Sequence, residues 1–460
     1  MSALGAGTSP TLRRELGLFG ATMMGLGSIV GTGIFVAIAL AASVAGPSVI
    51  LAIAMAALVA VCNALSSAQL AANHPTSGGT YEYGYICLRP WIGFSAGWMF
   101  LCAKSASAAT AALGCAGYAL ATLVPSAESH WVTPLALAVI VAVVGIVLGG
   151  VRRSSATNVV IVSVTLAALI FFVVAGAPMA LREGGERFRD FFGAEGSAAA
   201  TGRGAMLRLL EATALMFVAY TGYGRIATMG EEVRDPRSTI PRAILLTLLV
   251  AMSLYLAVAA VGVGVAGAAG LHQAGADRAA PLAAVARAFE IPGGEFILSI
   301  GAVTAMLGVL LNLVLGLSRV ALAMSRRGDL PPVFGRIDAA GRTPVPAVLL
   351  VGGAILVLAS FGSLALAWSF SAFTVLIYYA ITNLAALRLP KSQRLYHPAV
   401  AWCGLAACLG LAFWVEPAAW IGGSAVLGAG LAMRRLLRRT PSTHPTSGTP
   451  SQVSSRRSPS

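Results

Sequence analysis

Charged side chains are scarce in this 460-residue sequence, where Lys, Arg, Asp and Glu together make up 10%. An average soluble protein has about 25%, so an ordinary soluble globular fold is excluded. The sequence also lacks an HExxH motif and a Walker A loop, and its five histidines fall in predicted loops or at helix ends. A membrane enzyme, which would need catalytic polar groups at depth, therefore stays a remote alternative.

Cysteine is also rare, and none of the six cysteines belongs to a CxxC pair. Neither a zinc site nor a disulfide framework is suggested by such spacing. We therefore expect no metal site and no other cofactor.

Apolar residues dominate what is present, at 57% of the chain. Apolar runs of about 18 residues or more predict membrane-spanning helices. The pattern predicts an all-α membrane protein with twelve such helices, at 17–44, 48–71, 93–123, 132–150, 156–180, 207–229, 242–267, 295–324, 346–361, 364–387, 398–415 and 417–433.

The basic residues are unevenly distributed along these segments, and the net charge is +14. With twelve helices, 21 of the 31 Lys and Arg residues fall on the side that also holds both termini. The positive-inside rule then predicts cytoplasmic termini. Anionic lipid accounts for the basic excess. We expect no nucleic-acid partner, because the arginines are spread over several short loops.

The first apolar segment contains four glycines between Gly25 and Gly33. Each glycine inside a helix costs about 1 kcal/mol relative to alanine. A helix broken at membrane depth survives only where protein or a water-filled cavity satisfies its backbone. Exposed N–H groups attract a carboxylate and exposed carbonyls attract a cation, and an α-amino acid carries both charges. Close helix packing through small residues is the simpler alternative.

A second interrupted segment favours the binding interpretation. The sixth segment contains "FVAYTGYGRIATMGEE", with Gly222, Gly224 and an arginine at mid-depth. If the first ten helices form two inverted halves of five, the first and sixth segments occupy corresponding places. Interrupted segments at such places indicate a transporter site, a rule taken from the leucine-transporter fold.

Four motifs occur in order along the chain: "GSIVGTGIF" (27–35), "HPTSGGTYEYGY" (74–85), "GEEVRDPRSTIPRAI" (230–244) and "AMSRRGDLPPVFGRI" (323–337). Over roughly residues 15–390 the chain resembles the amino acid–polyamine–organocation superfamily, in particular bacterial amino acid permeases related to cationic amino acid transporters. The resemblance implies a leucine-transporter-like 5+5 inverted-repeat core with broken helices 1 and 6. The implied organisation is a cytoplasmic segment 1–16, a ten-helix core 17–390, two accessory helices 391–433 and a disordered basic tail 434–460.

The resemblance also implies site residues. In relatives the substrate carboxylate meets backbone amides that correspond to Thr32 and Gly33, beside Gly31. The substrate ammonium meets carbonyls near Ile29 and in the helix-6 break, near Val218, Thr221 and Gly222. The acidic pair Glu231 and Glu232 corresponds to part of a cytoplasmic gate, although a solvated helix end is an equal alternative.

The sequence departs from the family pattern at the usual coupling groups. Many proton-coupled relatives carry a lysine in helix 5, and here no Lys or Arg occurs between Arg153 and Arg182. An acidic residue usual after the helix-6 glycine is also missing. Two cations lie elsewhere at depth, Lys104 in helix 3 and Arg225 in the helix-6 break, and intramembrane ionisable residues are functional candidates.

Two roles remain open for Lys104: charging and discharging as a coupling group, or donating hydrogen bonds to helix-1 carbonyls in one fixed state. For Arg225, which cannot lose its proton, pairing with Glu231 or Glu232 is favoured over facing the cavity.

Together these observations predict a secondary transporter of amino acids, with alternating access in the inner or plasma membrane. Neutral or small L-amino acids are the expected substrates, because no acidic residue falls in the predicted pocket. H⁺ is a candidate coupling ion, with Na⁺ left open. An amine or polyamine transporter, an exchanger and a channel are alternatives. A disulfide-linked accessory subunit is not expected, because "VPSAESHWVTP" (124–134) has no cysteine.

Overall fold

The computed structural model describes residues 16–74, 78–124, 126, 128–150, 155–189, 191–192, 204–227, 233–338 and 343–439. These residues are helical almost throughout, and within them the one β-type contact is a bridge between Leu16 and Val233. The α-helices are α1 (Leu18–Ile29), α2 (Ile38–Ala45), α3 (Val49–Asn73), α4 (Thr80–Cys87), α5 (Pro90–Leu123), α6 (Val132–Leu148), α7 (Ser155–Arg187), α8 (Ala205–Tyr220), α9 (Gly224–Ala227), α10 (Pro236–Arg278), α11 (Pro281–Arg287), α12 (Gly294–Arg326), α13 (Val345–Ser360), α14 (Leu364–Leu387), α15 (Pro398–Ala412) and α16 (Pro417–Arg439).

Eight helical stretches in this part of the chain are long and apolar enough to cross a membrane. They are Gly33–Asn73, Pro90–Leu123, Ser129–Leu148, Ala156–Arg187, Ala205–Ala227, Pro236–Gly275, Gly294–Arg326 and Leu364–Leu387. The pair α15 and α16, bent by 112°, adds a ninth if it forms one span. The predicted all-α membrane architecture is thus supported.

This count, made by length and apolarity within the described chain, is lower than twelve, so the twelve spans stay a prediction. Leu18–Ile29 and Val345–Ser360 are apolar but shorter than the other spans, and Gly33–Asn73, which contains α2 and α3, forms one stretch of 41 residues. A single span needs about 20 residues. Gly46 interrupts the helical conformation between α2 and α3, with φ 63° and ψ −144°, a backbone region that glycine adopts most readily.

Helix α5 lies at the centre of the packing. It contacts α12 and α14 extensively and also packs against α4, α6 and α13. Its buried residues are mostly small, with alanine, glycine and serine on several faces. Small side chains let helix backbones approach closely where lipid provides no hydrophobic driving force between helices. Lys104 therefore lies on a helix that is buried on nearly all sides.

The two interrupted helices lie against each other. Helix α1 ends at Ile29, Val30 is extended with φ −80° and ψ 96°, and helical structure resumes as a π-turn at Gly33–Ala37 that leads into α2. Helix α8 changes to a 3₁₀ turn at Thr221–Tyr223 before α9. At Gly222 a Cβ would come within 2.2 Å of the Ser28 carbonyl oxygen. Only glycine permits this approach of the two backbones.

Candidate functional site

A small cavity lies where the two breaks meet α5, α12 and α14. Its volume is about 40 Å³, and none of its lining residues is exposed. The lining residues are Ser28, Ile29, Thr32, Gly33, Lys104, Ser107, Val218, Ala219, Thr221, Gly222, Val309, Leu313 and Trp368. The structure therefore brings Lys104 together with both breaks, although they are far apart in the sequence.

A larger groove of about 420 Å³ lies elsewhere, among Leu120, Val124, Trp131, Pro134 and Leu135. Its lining side chains are apolar. Binding sites combine an apolar lining with a few placed polar groups that orient the ligand. The cavity at the breaks meets that description, and the groove does not.

The restarted helix begins with two residues that line the cavity, Thr32 and Gly33. The first N–H groups of a helix have no intrahelical acceptor, and no backbone acceptor is found for those of Thr32 and Gly33 within the described chain. The Thr32 hydroxyl is also buried without a partner there. Gly31 is not a lining residue. Its carbonyl accepts from the N–H groups of Ile34 and Phe35, at 3.1 and 3.2 Å.

The carbonyls at the breaks already have donors. The Val218 oxygen accepts the Thr221 N–H and, at 2.7 Å, the Thr221 hydroxyl. The Thr221 oxygen accepts the Gly224 N–H and, at 3.2 Å, the Tyr379 hydroxyl. The Ile29 oxygen accepts the Tyr255 hydroxyl at 2.8 Å. A carbonyl has two lone pairs, so the oxygens of Val218 and Thr221 are fully occupied.

The sequence analysis missed the two tyrosines that satisfy these carbonyls. Tyr255 lies on α10 and Tyr379 on α14, and both are buried. A buried tyrosine hydroxyl usually finds a hydrogen-bond partner. That rule marks both residues as candidates, but the sequence does not indicate which carbonyl either one would reach.

Lys104 is 9% exposed and donates to the Thr221 hydroxyl oxygen at 2.6 Å. No acidic side chain pairs with it in the described chain. Its hydrogen bond thus goes to the helix-6 break rather than to the helix-1 carbonyls considered above. A buried ammonium with one neutral acceptor is costly, which makes Lys104 the least satisfied charge in the cavity.

The remaining walls are fixed by hydrogen bonds from the surrounding helices. The Trp368 indole N–H donates to the Leu215 carbonyl at 2.9 Å. The hydroxyls of Ser107 and Ser371 are 2.8 Å apart. Asn158, near the start of α7, donates to the Met23 carbonyl at 2.9 Å and so holds α1 beside α7.

The predicted gate residues are only partly described. Arg225 lies in α9 and is half-buried. Glu231 and Glu232 lie outside the described residues, so their pairing with Arg225 stays a prediction.

A second buried charge lies outside the cavity, at Asp329 just after α12. This carboxylate is fully buried and accepts from the hydroxyls of Tyr81, at 2.9 Å, and Tyr85. It also accepts from Arg434 Nε at 2.9 Å and from Arg438 Nη2 at 3.3 Å. We call these five residues the Asp329 cluster. It joins α4, the end of α12 and the end of α16.

The cluster connects two motifs that the sequence analysis quoted separately, 74–85 and 323–337. Beside it, Arg327 pairs with Glu82 at 2.7 Å and lies 4.3 Å from the centre of the Tyr85 ring. Burial, together with the Asp329 carboxylate, raises the pKa of both Tyr81 and Tyr85. Both hydroxyls therefore remain donors at neutral pH.

Comparison with known proteins identifies the family. The family model described as "Amino acid permease" matches residues 20–432. The chain belongs to the amino acid permease family. The predicted resemblance is confirmed, and the chain is a membrane transporter by family and by its apolar helices.

Individual relatives of this permease are also transporters. "Uncharacterized transporter Rv1999c" of Mycobacterium tuberculosis is 40% identical over 431 residues, which are 93% of each chain. "Branched-chain amino acid permease BcaP" of Bacillus subtilis is 28% identical over 359 residues, 74% of this chain and 73% of that one. "Cationic amino acid transporter 3, mitochondrial" of Arabidopsis thaliana is 24% identical over 357 residues, 74% of this chain and 56% of that one.

Proposed function

We propose that this permease is a secondary transporter that carries neutral or small L-amino acids across the inner or plasma membrane by alternating access. The observation that supports this most strongly is the cavity between two interrupted helices, lined by a buried lysine and by residues whose N–H groups have no backbone acceptor in the part of the chain that the structure describes. Interrupted helices at mid-depth are the usual site of substrate binding in such transporters.

The architecture that we propose has twelve spans, with α1 to α2 as the first and α8 to α9 as the sixth. Ten form two inverted halves, and α15 and α16 are accessory. Both termini are cytoplasmic, in line with the distribution of basic residues. Helices 1 and 6 then move around the cavity while α5, α12 and α14 form its other wall.

The lining supports the proposed substrate class. None of the lining side chains is acidic, so a basic substrate side chain would find no counter-charge there. Val309, Leu313 and Trp368 present an apolar surface that suits a short aliphatic side chain. A branched-chain amino acid permease among the relatives is consistent with this choice.

We infer that H⁺ is the coupling ion and that Lys104 carries it. Lysine can lose its proton inside a protein, whereas arginine cannot. The contact between Lys104 and Thr221 connects the protonation of the lysine to the helix-6 break. Na⁺ coupling and amino acid exchange are the rival mechanisms, and an amine or polyamine transporter is the rival in substrate class.

The test is uptake by the purified full chain in proteoliposomes. Labelled L-alanine, L-valine and L-lysine are offered with a proton gradient, with a sodium gradient, or with unlabelled amino acid inside. We expect alanine or valine to accumulate with the proton gradient alone. Absence of uptake for all amino acids under all three conditions would contradict the proposed function.

Lys104→Met separates coupling from binding. We expect it to abolish accumulation driven by the pH gradient while leaving counterflow of labelled substrate partly intact. The matched control is Lys391→Met, which removes the chain's other lysine at an exposed position. Accumulation by Lys104→Met with unchanged pH dependence would favour sodium coupling or exchange.

A further inference from the structure

Outside the two breaks, the cavity is lined by three helices of unlike character. Helices α12 and α14 contribute the apolar side chains of Val309, Leu313 and Trp368. Helix α5 contributes Lys104 and Ser107. Residues three apart lie on the same side of a helix, so both polar residues are on one side of α5. A ligand between the breaks therefore meets a polar surface on α5 and an apolar surface on α12 and α14.

The Lys104 ammonium has unused hydrogen-bond donors. The Thr221 hydroxyl gives its own hydrogen to the Val218 carbonyl, at 2.7 Å, so it can only accept from Lys104, at 2.6 Å. An ammonium has three donors, and within the described chain the bond to Thr221 is the one hydrogen bond of Lys104. Two donors are therefore available to a ligand in the cavity.

The charge of Lys104 is also uncompensated. Its side chain is 9% exposed, and none of the carboxylates in the part of the chain that the structure describes forms an ion pair with it. A buried charge is costly unless an opposite charge reaches it. An amino acid with a neutral side chain has no net charge and leaves this cost in place. An amino acid with an acidic side chain brings one net negative charge, which compensates the ammonium.

We propose that the permease also carries L-amino acids with a short acidic side chain, such as L-aspartate, and that Lys104 binds the side-chain carboxylate. This inference rests on the proposed function for the location of the site, where the two breaks hold the α-ammonium and the α-carboxylate. It widens the substrate class from neutral to acidic side chains. Aspartate is then preferred over its neutral isostere, asparagine.

The apolar wall is compatible with this substrate. The Trp368 indole N–H donates to the Leu215 carbonyl at 2.9 Å, which holds the indole in place on α14. The aspartate side chain branches at the same atom as that of leucine, with two carboxylate oxygens where leucine has two methyl groups. It therefore suits a pocket for a short branched side chain, and its two oxygens can accept both remaining donors of Lys104.

The experiment compares two isosteric probes on the purified full-length permease. L-aspartate and L-asparagine have the same backbone groups and nearly the same shape, and they differ in the charge of the side chain. Competition for uptake of labelled L-alanine in proteoliposomes and thermal stabilisation in detergent are measured at neutral pH, where the aspartate side chain is ionised. We expect aspartate to bind at least about tenfold tighter than asparagine, because hydrogen bonds between charged groups are the stronger ones.

Variants test the assignment to Lys104 through the ratio of the two affinities, which a general loss of binding does not change. We expect Lys104→Met to lower this ratio to about one, since methionine has no donor for the carboxylate. Lys104→Arg keeps the positive charge and should retain part of the preference. Lys391→Met, at the exposed lysine, should have the native ratio.

The outcomes separate the inference from the proposed function. If a neutral amino acid binds and aspartate binds no better than asparagine, the inference is wrong and the proposed function stands. The inference is also wrong if aspartate is preferred and Lys104→Met keeps the native ratio. If aspartate binds and no neutral amino acid does, the inference holds and the neutral substrate class of the proposed function fails. If no amino acid binds, both fail.

Discussion

Two of the buried charged residues in the described chain, Asp329 and Lys104, are compensated in opposite ways. The Asp329 carboxylate accepts from two tyrosines and two arginines, whereas the Lys104 ammonium has one neutral hydroxyl as its partner. Both are at most 9% exposed. A buried charge costs several kcal/mol unless partners compensate it.

The difference indicates what each charge does. At Asp329 the surrounding chain supplies all the partners, so nothing is left for a ligand, and the carboxylate holds three elements together. At Lys104 the protein leaves donors unused beside a cavity. Incomplete compensation persists where function requires it. We therefore regard the Asp329 cluster as structural and Lys104 as functional, and the following predictions test that contrast.

The largest expected effect is on stability, from Asp329→Ala. This change leaves Arg434 without its carboxylate in a site where it is 9% exposed. Breaking a buried ion pair costs about 3–5 kcal/mol. We expect a lower melting temperature in detergent and a smaller monodisperse fraction in size-exclusion chromatography.

A surface carboxyl is the control for this prediction. Glu128 is exposed and pairs with His130 at the surface. Glu128→Gln should change stability by less than about 0.5 kcal/mol. If Asp329→Ala melts at the same temperature as the native chain, the Asp329 cluster does not have the structural role that we assign to it.

Next in size is the loss of transport from Gly222→Ala. The added Cβ would lie 2.2 Å from the Ser28 oxygen and 2.7 Å from the Ile29 nitrogen. Both are backbone atoms, so the breaks must move apart and Thr221 must shift from Lys104. We expect initial uptake to fall by about tenfold or more, because a displacement of 1 Å in a binding site has large effects.

Gly410→Ala is the matched control, since nothing lies within 4 Å of its added Cβ. Alanine is the better helix former by about 1 kcal/mol, so this variant should transport normally and melt no lower. Normal uptake by Gly222→Ala would mean that the close approach of the two breaks is not needed.

We expect Lys104→Met to change stability less than Asp329→Ala does, and in the opposite direction. Replacing a poorly compensated buried charge by an apolar side chain of similar length is often neutral or stabilising. We expect the melting temperature to stay the same or rise while transport fails. A large loss of stability would mean that Lys104, like Asp329, has a structural role, and would contradict the distinction between the two charges.

The smallest expected effect is on how the melting temperature depends on alkaline pH, through Tyr85 of the Asp329 cluster. The raised pKa of Tyr85 means that the unfolded chain loses this proton first, near the ordinary value of about 10. The stabilisation is then fully present below pH 10 and is lost as pH rises through the folded-state pKa. We expect the melting temperature of the native chain to fall more steeply above pH 10 than that of Tyr85→Phe. Equal slopes would show that Tyr85 does not contribute.

The sequence predicts the interrupted helices and Lys104 for simple physical reasons. Glycine interrupts a long apolar run at both breaks, and a lone lysine within an apolar helix stands out. The hydroxyl partners could not be predicted in the same way. Tyr255 and Ile29 are 226 positions apart, and a tyrosine in an apolar helix gives no indication of which backbone oxygen it reaches.

The contacts of the Asp329 cluster and the number of spans also could not be predicted from the sequence. Each motif at 74–85 and 323–337 is recognisable alone, but the contact between Tyr81 and Asp329 joins residues 248 positions apart and also involves α16. Hydropathy separates apolar runs where polar residues intervene. It cannot say whether α15 and α16, bent by 112°, act as one crossing or two.

The Tyr255 hydroxyl has a consequence for how many parts of the permease move independently. Its oxygen lies 2.8 Å from the Ile29 carbonyl and 3.2 Å from that of Ala219, and it has one hydrogen to share between them. A displacement of one break relative to the other therefore takes one of these carbonyls out of reach of the hydroxyl, even if α10 follows the other break. We expect α1, α8 and α10 to travel as a single body, which reduces the transport cycle to one principal degree of freedom at this end of the cavity.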